Sequence, residues 1–314
     1  MPADTTKSTK SIMSGMRQLE IRTRRLVNDS LAGEYHSVFK GRGMDFDEVR
    51  EYSPGDEVRT IDWNVTARAG RPFVKKYAEE RELTILLLVD ISASGNFGSA
   101  ALSKRDLAAE LASVLAFSAI RNSDKVGLLL YTDRIERYLP PKKGRRHVLR
   151  VVRDILYHTP EGRRTDSVKA LDVANHVLHR RAIVFLISDF QSPGDPVRTR
   201  ADLRRAMRQT NRRHDLIAVQ VQDPREKELP NVGVLTLEDA ETGEIIELDT
   251  ASAAVRKRFN ELAVEHARRL VNDFRAEGVD TLELKTDSPY MPALQRFFKT
   301  RERRRARPGA RAGA

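Results

Sequence analysis

Asp90, Ser92 and Ser94 stand at alternate positions directly after the apolar run Ile85-Leu86-Leu87-Leu88-Val89. A carboxylate and two hydroxyls offer hard oxygen ligands, the kind that Mg²⁺ and related cations prefer. Bound Mg²⁺ usually keeps several waters instead of accepting a closed protein cage, so such a site would stay open to solvent. Two further oxygens can join. Asp189 follows the apolar run at 182–187 much as Asp90 follows the first run, and Thr165 lies in the loop TPEGRRTD at 159–166. If the two runs are neighbouring parallel strands, both carboxylates fall on one rim. Each residue also has a plainer reading: serines after a strand often only cap the next helix, and Asp189 could serve a strand-end turn.

A continuous apolar run ended by polar residues reads as a strand buried on both faces, hence a parallel sheet covered by helices. In an open α/β sheet the ligand site lies in the crevice beyond the carboxyl ends of the strands. The remaining pattern supplies such a sheet. Ser103-Lys104-Arg105-Asp106 has the form of a capping box and opens a helix to about residue 120. Strands are expected at 126–131, 134–139, 182–187, 216–221 and 281–284, with a hairpin at 232–237 and 244–248. Helices are expected at 147–157, from 166 onward, at 197–212, 252–277 and 291–298, the fourth ended by Gly278. This alternation predicts a doubly wound, mostly parallel α/β sheet.

The domain reading has four parts: a disordered start and N-terminal helix at 1–35, an arm at 36–82, the α/β domain at 83–298, and a basic disordered tail at 299–314. Turn signals at Ser53-Pro54-Gly55-Asp56 and Ala69-Gly70-Arg71-Pro72 break the arm into short pieces. Arg50, Asp56, Arg59, Asp62 and Arg68 surround Trp63, the only tryptophan. The reading favoured by so long an irregular segment is structural: Trp63 anchors the arm while arginine–carboxylate pairs hold its backbone. A docking surface for a partner is the alternative.

Composition bounds the function classes. The chain has 314 residues with a formal net charge of +11, and contains no cysteine. Disulfides, thiolate zinc sites and cysteine nucleophiles are therefore excluded. No apolar run approaches the ~20 residues needed to span a bilayer, and the N-terminus lacks the apolar core of a secretory signal. A cytoplasmic location is the expectation. The positive charge admits nucleic-acid binding through basic helices and tail, but aromatics for stacking bases are not interleaved with it. No phosphate loop or GxSxG elbow is present. His176 and His179 lie three apart on an expected helix but lack a carboxylate motif beside them, and read as surface residues.

Asp90-Ile91-Ser92-Ala93-Ser94, with Thr165 and Asp189 downstream, resembles the metal-ion-dependent adhesion site of the von Willebrand factor A fold. The upstream segment is more specific. Gly41-Arg42-Gly43-Met44-Asp45-Phe46, Arg50-Glu51-Tyr52-Ser53-Pro54-Gly55-Asp56, Arg59-Thr60-Ile61-Asp62-Trp63 and Ala67-Arg68 resemble the signature of the bacterial "domain of unknown function 58" family. The resemblance implies that Ser92 and Ser94 bind Mg²⁺ or Mn²⁺ directly through hydroxyls, and Thr165 directly or through water. It implies that Asp90 and Asp189 hold the metal's waters, and that a sixth position is left for an acidic side chain from a protein partner. It also suggests a MoxR-type AAA+ ATPase as the partner system. One departure is Gly95, where family members commonly carry methionine. The expectation is a non-enzymatic, cation-dependent protein-binding module, with a nucleic-acid binder and a metal-dependent hydrolase as alternatives.

Overall fold

A computed structural model describes residues 35, 38–39, 44–79, 82–191 and 196–306. The expected N-terminal helix, Gly41-Arg42-Gly43 and residues 307–314 lie outside the described residues. The chain divides into two units, 39–83 and the remainder.

The upstream unit is more regular than its turn-rich sequence predicts. Met44–Glu51 (β1) pairs antiparallel with Phe73–Glu79 (β2), and Trp63–Ala69 forms a helix (α1) between them. Asp62 caps α1 by accepting from Asn64 N–H at 3.0 Å and Val65 N–H at 3.2 Å, and Gly70 closes it at φ 72°. Arg50 makes the expected pair with Asp56, through two bonds of 2.6 and 2.8 Å. Asp62 instead lies 3.4 Å from Lys75, and Arg59 and Arg68 are exposed. Trp63 is 66% exposed.

The larger unit is built on Thr84–Asp90 (β3), in which Ile85 through Val89 are fully buried. From there the chain runs through Lys104–Arg121 (α2), Lys125–Tyr131 (β4), Ile135–Lys142 (β5), Arg145–Tyr157 (α3), Ser167–Val177 (α4) and Ile183–Ser188 (β6). It continues through Pro196–Arg213 (α5), Asp215–Gln222 (β7), Val234–Glu238 (β8), Ile245–Asp249 (β9), Ala253–Ala276 (α6), Asp280–Lys285 (β10) and Tyr290–Ala306 (α7). The sheet order is β10-β7-β6-β3-β4-β5, parallel throughout except for the β4–β5 edge pair. Alternate residues Leu86, Leu88, Val184, Leu186, Leu216 and Ala218 share one core cluster with residues of α4, α5 and α6. α2 packs against β3, β4 and β7. Burial on both faces explains why these strands read as unbroken apolar runs.

β3 lies between β4, the next strand in sequence, and β6, reached only after β5 and two helices. The winding therefore reverses at the carboxyl ends of β3 and β6, where a crevice opens in doubly wound sheets.

The expected tail is corrected over 299–306, which continue α7. Arg301 is 5% exposed and ion-pairs with Asp215 and, at 3.4 Å, with Asp280. Two strand carboxylates thus hold a charge that in sequence belongs to a basic run. His176 and His179 are exposed, and α4 ends before His179.

Candidate cation site

β3 and β6 are parallel neighbours in register through Val89 and Ile187, so Asp90 and Asp189 emerge on the same rim. The Asp90 carboxylate accepts from Ser92 N–H at 2.9 Å and from the Ser188 hydroxyl at 2.7 Å. Ser92 then opens a 3₁₀ turn at Ala93–Asn96, with Gly95 N–H donating to Ser92 O at 3.1 Å. The turn forms with glycine at 95, where a Cβ would meet only Arg105 Cβ at an ordinary 3.8 Å. The hydroxyls of Ser92 and Ser94 lie 3.0 Å apart.

Thr165 reaches the same rim on the loop between α3 and α4. Ala93 N–H donates to Arg163 O at 3.0 Å, tying the loop to the serine turn, and Asp166 N–H donates to Thr132 O at 3.0 Å beyond β4. The Glu136 carboxylate fixes the loop from beneath by accepting from Glu161 N–H, Gly162 N–H and the Thr132 hydroxyl at 2.8–3.1 Å. Asp166 then caps α4 by accepting from Lys169 N–H at 2.9 Å.

Negative charge accumulates here. The Asp90 carboxyl is raised to about 6, first by burial and then by the charge of Asp189, against the lowering effect of the bonds from Ser92 and Ser188. The tip of the β8–β9 hairpin adds Glu241, whose Oε1 accepts from the Thr165 hydroxyl at 2.8 Å. The Glu241 carboxyl is raised to about 7, chiefly by burial and also by the charges of Asp90 and Asp189, with hydrogen bonding from Thr165 acting to lower it. A buried ammonium answers them. Lys104, at the start of α2, lies 2.6 Å from Asp189 and 2.5 Å from Glu226. Its burial disfavours the ammonium, but the two carboxylates more than compensate and its pKa is raised.

These residues fit a divalent cation. Adjacent oxygens of an octahedral Mg²⁺ shell with bonds of 2.0–2.1 Å are about 2.9 Å apart, close to the Ser92–Ser94 separation of 3.0 Å. A cavity of about 20 Å³ is bordered by Asp90, Ser92, Ser94, Lys104 and Asp189, room for roughly one water-sized species. Glu241 Oε2 is buried without a hydrogen-bond partner. Among the described residues no three His, Cys, Asp or Glu side chains form a direct metal cage, so the inner ligands would be chiefly hydroxyls. Four of the five expected ligands border this cavity. Thr165 faces Glu241.

Sequence reasoning passed over Lys104, Ser188, Glu226 and Glu241. In sequence Lys104 is merely the residue after the cap Ser103, which accepts from Asp106 N–H at 3.1 Å. Ser188 carries the one legible signal, standing at the strand end beside Asp189. The basic face of α5 has structural partners: Arg200 binds Asp273, while Arg204 and Arg208 bind Glu277 at 2.6–3.0 Å. No helix among the described residues is long and apolar enough to cross a membrane.

The sheet order defines a doubly wound, mostly parallel α/β domain. The family described as "Protein of unknown function DUF58" matches residues 48–269, and the chain belongs to it. The uncharacterized protein Rv1480 of Mycobacterium tuberculosis is 34% identical over 294 residues, covering 93% of this chain and 90% of that protein. Among solved structures, the conserved hypothetical protein BatB from Bacteroides thetaiotaomicron is similar at 15% identity and a TM-score of 0.45, covering 70% of this chain and 99% of that one. The VWA domain of SpRpn10 is similar at 13% identity and a TM-score of 0.39, covering 68% and 93%.

Proposed function

We propose that this protein is a non-enzymatic, cytoplasmic protein-binding module that uses Mg²⁺ or Mn²⁺ to take up an acidic side chain of its partner. The observation that carries the reading is the pair of serine hydroxyls 3.0 Å apart beside buried Asp90 and Asp189. Ser92, Ser94 and Thr165 would hold the cation. A bound divalent cation supplies a hard Lewis-acidic centre that attracts carboxylate oxygen. Asp90 and Asp189 contribute charge and accept from the cation's waters. Asp90 is kept in place by Ser92 N–H and Ser188, Asp189 by Lys104 and by Gln191 N–H at 3.0 Å. With few carboxylates in direct contact, much of the cation's charge stays available to an incoming acid.

A MoxR-type AAA+ ATPase is the partner proposed. Calorimetric titration of such an ATPase from the same organism, with Mg²⁺ and then with EDTA, tests the reading. Binding that needs Mg²⁺ and is lost in Ser92→Ala/Ser94→Ala supports it, and binding indifferent to both refutes it. The nucleic-acid reading is weakened because Arg200, Arg204, Arg208 and Arg301, four of its basic side chains, are already engaged by Asp273, Glu277 and Asp215.

A further inference from the structure

We propose that Glu241 is a built-in acidic ligand of the cation site, so that the β8–β9 hairpin holds the position an incoming carboxylate would take. This rests on the cation-binding reading above and adds to it a residue and a mode of control. The hairpin tip brings the Glu241 carboxylate to the Thr165 hydroxyl at 2.8 Å, on the rim that carries Asp90 and Asp189. Convergence of like charges is unfavourable unless cations offset them; Lys104 does so at Asp189, and a divalent ion would do so at Asp90 and Glu241. Among the described residues the Glu241 carboxylate is hydrogen-bonded by Thr165 alone, itself an expected ligand, and Oε2 is buried with no partner. A buried carboxylate oxygen left unsatisfied is costly; a divalent ion would satisfy it.

The turn does not need the Glu241 side chain to form. Asp239 closes the tip alone, its carboxylate accepting from Glu241 N–H and Thr242 N–H at 2.8 Å each. Gly243 takes φ 74° and donates to Asp239 O at 2.7 Å. The Glu241 side chain is thereby free to reach Thr165, 76 positions earlier in the chain.

The hairpin is also poorly anchored by apolar contacts. Val234 is 69% exposed, Ile245 65% and Ile246 49%. Segments held by few buried apolar contacts open at low cost. An acid from a partner would displace Glu241 and release the hairpin, so internal and external carboxylates compete for one coordination position.

Mn²⁺ serves as probe, with the full chain as wild type, Glu241→Gln, Glu241→Ala and Ser92→Ala. Three readouts are followed: free Mn²⁺ by electron paramagnetic resonance, water-proton relaxation by bound Mn²⁺, and amide exchange across 239–243 with and without Mg²⁺. The expected result is an affinity about tenfold weaker in Glu241→Gln, with higher relaxation per bound Mn²⁺ in Glu241→Ala as water enters the vacated position. Mg²⁺ should slow exchange at the hairpin tip in wild type and not in Glu241→Gln. If Mn²⁺ binds wild type and fails on Ser92→Ala, while both Glu241 variants match wild type in all three readouts, Glu241 is no ligand and the cation site stands. If wild type binds no Mn²⁺, the cation reading itself is overturned, and this inference with it.

Discussion

Lys104 Nζ lies 2.6 Å from Asp189 Oδ2, with the two side chains only 3% and 4% exposed. The lysine comes from the first turn of α2 and the aspartate from the end of β6, so the contact joins a helix start to the site rim. Glu226, from the loop after β7, takes the same ammonium at 2.5 Å. Lys104→Met would leave both carboxylates without their cation. Breaking a buried pair from one side costs about 3–5 kcal/mol, and urea denaturation in EDTA should show a loss of that size. A loss under about 1 kcal/mol, the range of exposed pairs, would mean that the ammonium contributes no more than a surface contact does.

Asp223, directly after β7, gathers a second buried network. It accepts from Ser99 N–H at 2.8 Å, the Ser99 hydroxyl at 2.6 Å, the Thr286 hydroxyl at 2.6 Å and Arg225 N–H at 2.9 Å. Burial alone would raise its pKa, but these donors outweigh burial and hold it below the usual carboxylate range. A depressed folded-state pKa contributes stability that is present above the unfolded value of about 3.9 and is lost as pH falls through the lower folded value. Asp223→Asn should therefore be less stable than wild type at pH 7, with the gap narrowing below about pH 4. Denaturant midpoints measured from pH 7 to pH 3 give the comparison, and a gap constant over that range would contradict the assignment.

How far the sequence alone reaches depends on whether a signal is local. The buried strands at 85–89 and 183–187 are legible because burial on both faces leaves an unbroken apolar run, and Asp90 and Asp189 are legible as their polar ends. Strand β1 is not, because a register shift between Phe46 and Glu48 breaks the alternation that would mark it. The run from Lys299 reads as solvated charge until Asp215 and Asp280, distant in sequence, are seen to hold Arg301. Glu241 carries no local mark either. Its place beside Thr165 follows from a hairpin that crosses to the rim from 76 residues away.

Mg²⁺ should stabilise the folded chain through the serine turn. A ligand that binds only the folded state at a hundred times its Kd adds about 2.7 kcal/mol. The wild-type melting temperature should rise with Mg²⁺ and fall back on chelation, and Ser92→Ala/Ser94→Ala should not respond. An equal rise in the double variant would place the stabilising ion elsewhere on the protein.

Gly162 offers a way to disturb the site without touching a ligand. A Cβ at this position would stand 2.0 Å from Asp133 Oδ1 and 2.1 Å from Thr132 Oγ1, so either these side chains or the loop at 159–166 must shift. That loop carries Arg163 O, which holds Ala93 N–H at 3.0 Å, and Thr165 two residues further on. Gly162→Ala should thus move Thr165 away from the serine turn while leaving the sheet, whose strands lie elsewhere, paired. Overpacking of this kind costs about 1–3 kcal/mol, and displacing a ligand or its support weakens metal binding by about 10–100-fold. Mn²⁺ titration beside a melting curve separates the two effects. A variant with wild-type affinity would mean that the loop takes up the extra methyl without shifting Thr165, and that the close approach of residue 162 to Thr132 does not position the site.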